Sequence, residues 1–154
     1  MHVTDLSDMD ERRRRRMGVL ALAPERALAE RFRAFGEDPA FTAVRGPETG
    51  LMLLRGRMGG TGKPFNFGEA TVTRATVRLS DGAVGHALFI GRDAAKAQIA
   101  AVIDALAGDP QREARIEAEI IAPLEAEQEG RDAARRAETA ATRVEFFTLV
   151  RGED

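Results

Sequence analysis

Arg57–Gly82, RMGGTGKPFNFGEATVTRATVRLSDG, is the stretch on which the fold turns. It opens as a glycine-rich loop: three of the seven residues from Arg57 to Lys63 are glycine and two are cationic. It then alternates. Ala70, Val72, Arg74, Thr76 and Arg78 fall on one side of an extended chain, and Thr71, Thr73, Ala75, Val77 and Leu79 on the other. The second set is the more apolar towards its end, so it predicts the buried face, and both arginines fall on the open one. Asp81-Gly82 signals a two-residue hairpin, with Val84–Ile90 as the returning strand.

Upstream, Phe41–Arg45 and Leu51–Arg57 read as short extended segments, giving a meander of three or four antiparallel strands within residues 40–91. Residues 8–22 and 24–35 read as helices, with Asp5 or Ser7 as a cap, Pro24 in a first turn and Gly36 as a stop. Downstream, Asp93 caps a helix from Ala94 to Leu106, and Gly108-Asp109-Pro110 ends it. A helix over 110–122 is expected to break near Pro123, with a long helix from about 124 to 147 and a tail at 148–154. Ala133, Ala137, Ala140, Val144 and Phe147 form one stripe on that last helix. The expected class is α+β, a small antiparallel sheet with helices before and after it, in a single domain spanning 1–154.

Composition narrows the chemistry. The chain has no cysteine, which excludes disulfides, thiolate nucleophiles and cysteine metal sites. It has eight Phe, no Trp and no Tyr, so the core is expected to rest on Ala, Leu, Val and Ile. Net charge is -2, which favours neither nucleic acid nor an anionic membrane as partner. The charge is uneven: seven cations and three anions lie between Arg45 and Arg92, and nine anions and five cations between Asp109 and Glu138. No apolar leader and no run near 18 apolar residues is present, so a cytoplasmic, non-membrane protein is expected.

Candidate sites are few. Arg57, Gly59, Gly60, Thr61 and Gly62 can form an anion-binding nest or an ordinary tight turn. The loop is not a Walker A motif: Arg57 stands five before Gly62, and Pro64 follows Lys63 where a Ser or Thr would bind Mg²⁺. Arg74 and Arg78, four apart and roughly 13 Å along one sheet face, suit phosphates or carboxylates, and Thr73 adjoins them. They read equally as a solvated face or as ion pairs with Glu48 or Glu69. His2 and His86 lie in different regions and have no metal-ligand spacing, and Ser80 belongs to the turn. Glu113, Glu117 and Glu125 read as a solvated face paired with nearby helical arginines. Arg12–Arg16 is a run of five arginines in a basic N-terminal segment, 1–16, expected to be mobile. Without interleaved aromatics it makes a poor nucleic-acid surface. No acid–base pair, thiol or metal cluster marks this chain as a lone catalyst.

In combination, ETG (48–50), RMGGTG (57–62), GEATVTRATVRLSDG (68–82), GRD (91–93), IDAL (103–106), IAPL (121–124) and TRVEFFTLVRGE (142–153) resemble the PhnG family, the G subunits of the bacterial carbon–phosphorus lyase system. The resemblance runs in order from about residue 17 to 153. It implies a hetero-oligomeric core complex with H, I and J subunits, and an L protein needed for activity. The implied reaction is displacement of adenine from MgATP by a phosphonate, giving α-D-ribose 1-methylphosphonate 5-triphosphate. It implies no cofactor on this chain: the iron–sulfur cluster and S-adenosylmethionine belong to a partner subunit. It points to a subunit that assembles or completes a site, or to a scaffold that touches no substrate. Glu48, Arg143, Phe146, Phe147 and Arg151 are its candidate interface residues.

Overall fold

The computed structural model describes residues 3–59 and 61–141. Helices α1 (Val3–Leu22) and α2 (Glu25–Phe35) lead into strands β1 (Phe41–Arg57), β2 (Pro64–Leu79) and β3 (Val84–Ile90). Helices α3 (Ala94–Leu106), α4 (Pro110–Ile116) and α5 (Ala122–Ala141) follow, with a π turn at Glu117–Ile121 joining the last two. The sheet is antiparallel in the order β1-β2-β3. The expected α+β meander with helices on both sides of it in sequence is the fold.

Helix α3 organises the molecule. Ala97, Ala100, Ala101, Val102, Ile103, Ala105 and Leu106 are all buried, because α3 has the sheet on one side and helices on the other. Its alanines let the sheet come close. A Cβ on Gly85 of β3 would stand 2.1 Å from the Ala101 carbonyl oxygen and 2.3 Å from the Ala105 nitrogen, so only glycine fits there. Ala75, Val77 and Leu79 of β2 and Ala87 and Phe89 of β3 face this helix. Leu20, Leu28, Ile116, Ile120, Ile121 and Leu124 close the core behind it. The alternation in β2 therefore sorts as read: Thr73, Ala75, Val77 and Leu79 are buried, and Arg74 and Arg78 are exposed.

Several boundaries differ from expectation, each for a local reason. The two short segments 41–45 and 51–57 are one strand. Gly46-Pro47 is a cis peptide with irregular pairing on either side, but β1 is an edge strand, where proline forfeits no ladder bond on its open side. The Asp81-Gly82 turn is one residue longer than the two-residue form. Leu79 N–H donates to the Ala83 carbonyl (2.8 Å), Gly82 N–H returns to Leu79 (3.0 Å), and Asp81 Oδ1 accepts from Ala83 N–H (3.0 Å). Helix α1 begins at Val3, so Asp5 and Ser7 lie inside it, and Pro24 is the residue before α2 and not within its first turn. Gly36 and Asp93 act as expected: Gly36 is left-handed at the end of α2, and the Asp93 carboxylate accepts an N–H bond from the first turn of α3; Asp109, expected only as part of the stop after α3, also caps α4.

Pro123 breaks nothing. It has no N–H to give and its ring would strike the carbonyl four residues back. The π turn just ahead widens the helix, Ala122 N–H reaches back to Glu117, and the chain passes through Pro123 into α5. The outer part of α5 has no cover: Ala133, Ala137 and Ala140 are exposed, and Val144 and Phe147 of the expected stripe lie outside the described residues.

Candidate functional site

The sheet has two faces. One is sealed by α3; the other is open, and its cross-strand rows follow from the register. Thr42, Arg78 and Val84 form one row. Arg45, Thr76 and His86 form the next, then Glu48, Arg74 and Leu88, then Gly50, Val72 and Ile90. Between these rows lies a shallow groove of about 380 Å³ lined by Arg45, Glu48, Met52, Arg74, Thr76, His86 and Leu88 among others.

Charge gathers in this groove. Arg45 Nε and Arg74 Nε both donate to Glu48 Oε1, each at 2.6 Å. The two guanidiniums, Arg45 first, hold the Glu48 carboxyl below its ordinary pKa. Two cations on one carboxylate leave one surplus positive charge. Arg78, two face positions beyond Arg74, is exposed and has no ion-pair partner among the described residues. His86 Nδ1 lies 3.1 Å from the Thr76 hydroxyl. The arrangement can receive an anion, a phosphate or a partner's carboxylate, through the forked donors of arginine. Among the described residues no group of three or more His, Asp or Glu side chains is placed to hold a metal ion.

The expected site residues do not all meet. Arg74, Arg78 and Glu48 share the open face. Thr73 points the other way: fully buried, its hydroxyl donates to the Gly91 carbonyl (2.7 Å) and lies 3.2 Å from the Thr49 hydroxyl. Arg57 is at the far end of the β1–β2 hairpin, paired with Pro64, while Glu48 pairs with Arg74. At about 3.3 Å per residue the loop stands roughly 30 Å from Glu48 and Arg74. Arg57 therefore does not join Arg74 and Arg78 within one chain.

Two glycines of that loop, Gly59 and Gly62, are explained by the turn. Gly59 has φ 61°, Gly62 N–H donates to the Met58 carbonyl (2.9 Å), and a Cβ at Gly62 would meet that same oxygen at 2.5 Å. Arg57 Nη1 donates to the Gly62 carbonyl (3.3 Å), and Thr61 is exposed. Gly60, Arg143, Phe146, Phe147 and Arg151 lie outside the described residues.

A second charged cluster escaped the sequence reading, and it is structural. Residues 3–16 lie within α1, which starts ahead of the helix expected from residue 8, and four of the five consecutive arginines are ion-paired. Arg13 grips Asp104 of α3 through Nε (3.0 Å) and Nη2 (2.8 Å). Arg16, buried, reaches Asp104 (3.8 Å) and Glu113 (3.0 Å). Arg12 pairs with Asp8 and Glu113, and Arg15 with Glu117 and Glu125. Asp104, its carboxylate 1 % exposed, also accepts the backbone N–H of His86 (2.9 Å), so one residue ties α1, α3 and β3 together. The hydrogen bond from Arg13 to Asp104 raises the arginine's pKa. Lys96 adds a further tie. Its ammonium donates to the Ala21 carbonyl (2.7 Å) and sits 4.5 Å over the Phe89 ring, and burial pushes its pKa down against a smaller opposing pull from Asp93. The available signal was Asp104 itself, a carboxylate in the otherwise apolar run AAVIDAL.

Comparison with known proteins agrees with the resemblance. Residues 11–152 match the family described as phosphonate metabolism protein PhnG. A protein of Rhizobium meliloti (strain 1021), named alpha-D-ribose 1-methylphosphonate 5-triphosphate synthase subunit PhnG, is 50% identical over 145 residues, covering 92% of this chain and 90% of the relative. Among the described residues no helix is long and apolar enough to cross a membrane. The ordered motifs, the family match over nearly the whole chain and this full-length relative lead to one conclusion: the chain belongs to the PhnG family of phosphonate metabolism proteins.

Proposed function

We propose that this chain is a subunit of a ribose 1-methylphosphonate 5-triphosphate synthase, a transferase complex in which a phosphonate displaces adenine from MgATP. The observation that carries the reading is the 50% identity, over nine-tenths of both chains, to a protein named as that synthase's subunit. The partners are the H, I and J subunits of the carbon–phosphorus lyase core, with the L protein required for activity. The setting is cytoplasmic. MgATP is substrate of the complex, and the iron–sulfur chemistry of later C–P cleavage belongs to another subunit.

Within that complex the chain completes a site and is not a lone catalyst. What supports this is the open groove: it carries surplus positive charge at Arg45, Glu48 and Arg74, and at Arg78 a guanidinium with no ion-pair partner among the described residues. Arg78 is the better candidate for a phosphate or a partner carboxylate, because Arg74 already has Glu48. The scaffold reading draws on that same Arg74–Glu48 pair, which is satisfied within the chain.

Arg78→Ala and Arg74→Ala, each co-expressed with the other subunits, separate the two. Site completion predicts an intact complex in which Arg78→Ala cuts product formation at least tenfold, consistent with the loss of a charge-assisted contact of about 1.5–3 kcal/mol, and diverts MgATP to free ribose triphosphate. A scaffold predicts that assembly and product fall in parallel. Unchanged yield and unchanged product for both variants overturns the site assignment.

A further inference from the structure

β1 and β2 run past the end of the sheet. β3 pairs with β2 only from Val72 to Arg78, whereas β1 and β2 stay paired out to Arg57 and Pro64. Residues 51–71 thus form a two-stranded arm. Such a hairpin alone is marginally stable in water. Its side chains are also wrong for water: Leu51, Leu53, Met58 and Phe67 are 68%, 59%, 75% and 60% exposed.

The pattern is the informative part. Successive strand residues point to opposite faces, so Leu51 and Leu53 lie on one face and Met52 on the other. The unbroken run Leu51–Leu54 is the signature of a strand covered on both faces. In this chain Leu51, Met52 and Leu53 are exposed and only Leu54 is partly buried, so neither face is fully covered. Between Glu48 and Leu54 the outer edge of β1 also lacks any charge, proline or register shift to blunt it. Towards the turn the character changes: Arg55, Arg57 and Lys63 are three cations against one anion, Glu69, in residues 51–70.

We infer that the arm is an insertion element, entering a cleft of another subunit whose walls are apolar on both sides and whose far end carries carboxylates for Arg55, Arg57 and Lys63. A flat partner surface would cover one face only. A second copy of this chain is the poorer occupant on charge. Arms laid tip to tip bring their cations together, and reversed arms set the tip against the Arg45–Glu48–Arg74 cluster, itself positive by one. Of the helical carboxylates of a second copy, Glu113, Glu117, Glu125 and Glu127 are already held by arginines of α1 and α2, and Glu129, Asp132 and Glu138 are interspersed with Arg131, Arg135 and Arg136. The inference rests on the reading of the chain as a subunit of a complex.

The test places a photo-cross-linking phenylalanine analogue at Leu53, and separately at Phe67, in the full chain within the co-expressed complex. Adducts are expected on a different subunit, in a segment rich in apolar residues with Asp or Glu nearby. Adducts on a second copy of this chain, or none from a fully assembled complex, overturn the inference. Leu51→Ser with Leu53→Ser supplies a second measurement. Both side chains are exposed, so the isolated chain is expected to melt as wild type while its recovery with a tagged partner subunit falls at least tenfold; undiminished recovery also overturns the inference. The outcome separates from that of the functional reading. A complex that cross-links through the arm yet makes no phosphonate adduct refutes the function and leaves the arm, and an active complex with the arm free refutes only the arm.

Discussion

Two residues carry more of this molecule than their size suggests. Gly85 lets β3 lie against the backbone of α3, and a methyl group there meets main-chain atoms that no rotamer change can move. Gly85→Ala is expected to cost about 3 kcal/mol, the upper end of overpacking, visible as a lowered denaturant midpoint with an unchanged slope. Asp104 is the buried carboxylate on which Arg13, Arg16 and the His86 N–H converge. Asp104→Ala leaves Arg16 buried with only Glu113, and the expected loss is about 3 kcal/mol or more. Arg14→Ala, at an exposed position in the same run, is the control and is expected to stay within about 0.5 kcal/mol of wild type. If Asp104→Ala and Arg14→Ala behave alike, the ion pairs to Asp104 do not anchor α1.

At the scale of elements, the Asp93 cap gives a clean measurement. Its carboxylate accepts from Lys96 N–H at 2.8 Å, and Asp93→Ala is expected to cost about 1 kcal/mol of unfolding free energy. This element was legible because its signals are local: a capping Asp, an apolar period and a Gly-Asp-Pro stop. The β2 alternation was legible for the same reason, and it correctly assigned Arg74 and Arg78 to the open face. What escaped was long-range. Gly46-Pro47 looks like a break until β1 is known to be an edge. Pro123 looks like a break until the π turn ahead of it is seen. Glu113, Glu117 and Glu125 looked like partners for arginines in their own helices. They instead bind Arg12, Arg15 and Arg16, about a hundred residues away, and spacing along one helix carries no trace of that. The roughly 30 Å between Arg57 and Arg74 was hidden likewise, since the length of a hairpin depends on where its strands begin.

For the whole molecule, charge pairing makes stability pH-dependent with a definite sign. Glu125, held by Arg15, Asp81, held first by the Ala83 N–H, and Glu48, held by Arg45 and Arg74, all have folded pKa values below their ordinary ones. A carboxyl depressed by folding stabilises the native state above its unfolded pKa of about 4, and that contribution is lost as pH falls through the folded value. Thermal melting is therefore expected to be flat from pH 7 to about pH 5 and to fall steeply below it. A melting temperature that rises on acidification would contradict these assignments. The molecule as a whole is a small sheet clamped by α3, from which an apolar arm and the outer turns of α5 extend without cover of their own. That shape belongs to a chain that works inside an assembly. The most direct measurement offers MgATP and methylphosphonate to the complete complex and to the same subunits prepared without this chain. Adenine release coupled to formation of the ribose phosphonate triphosphate only when the chain is present is the predicted result; equal product without it would contradict the account.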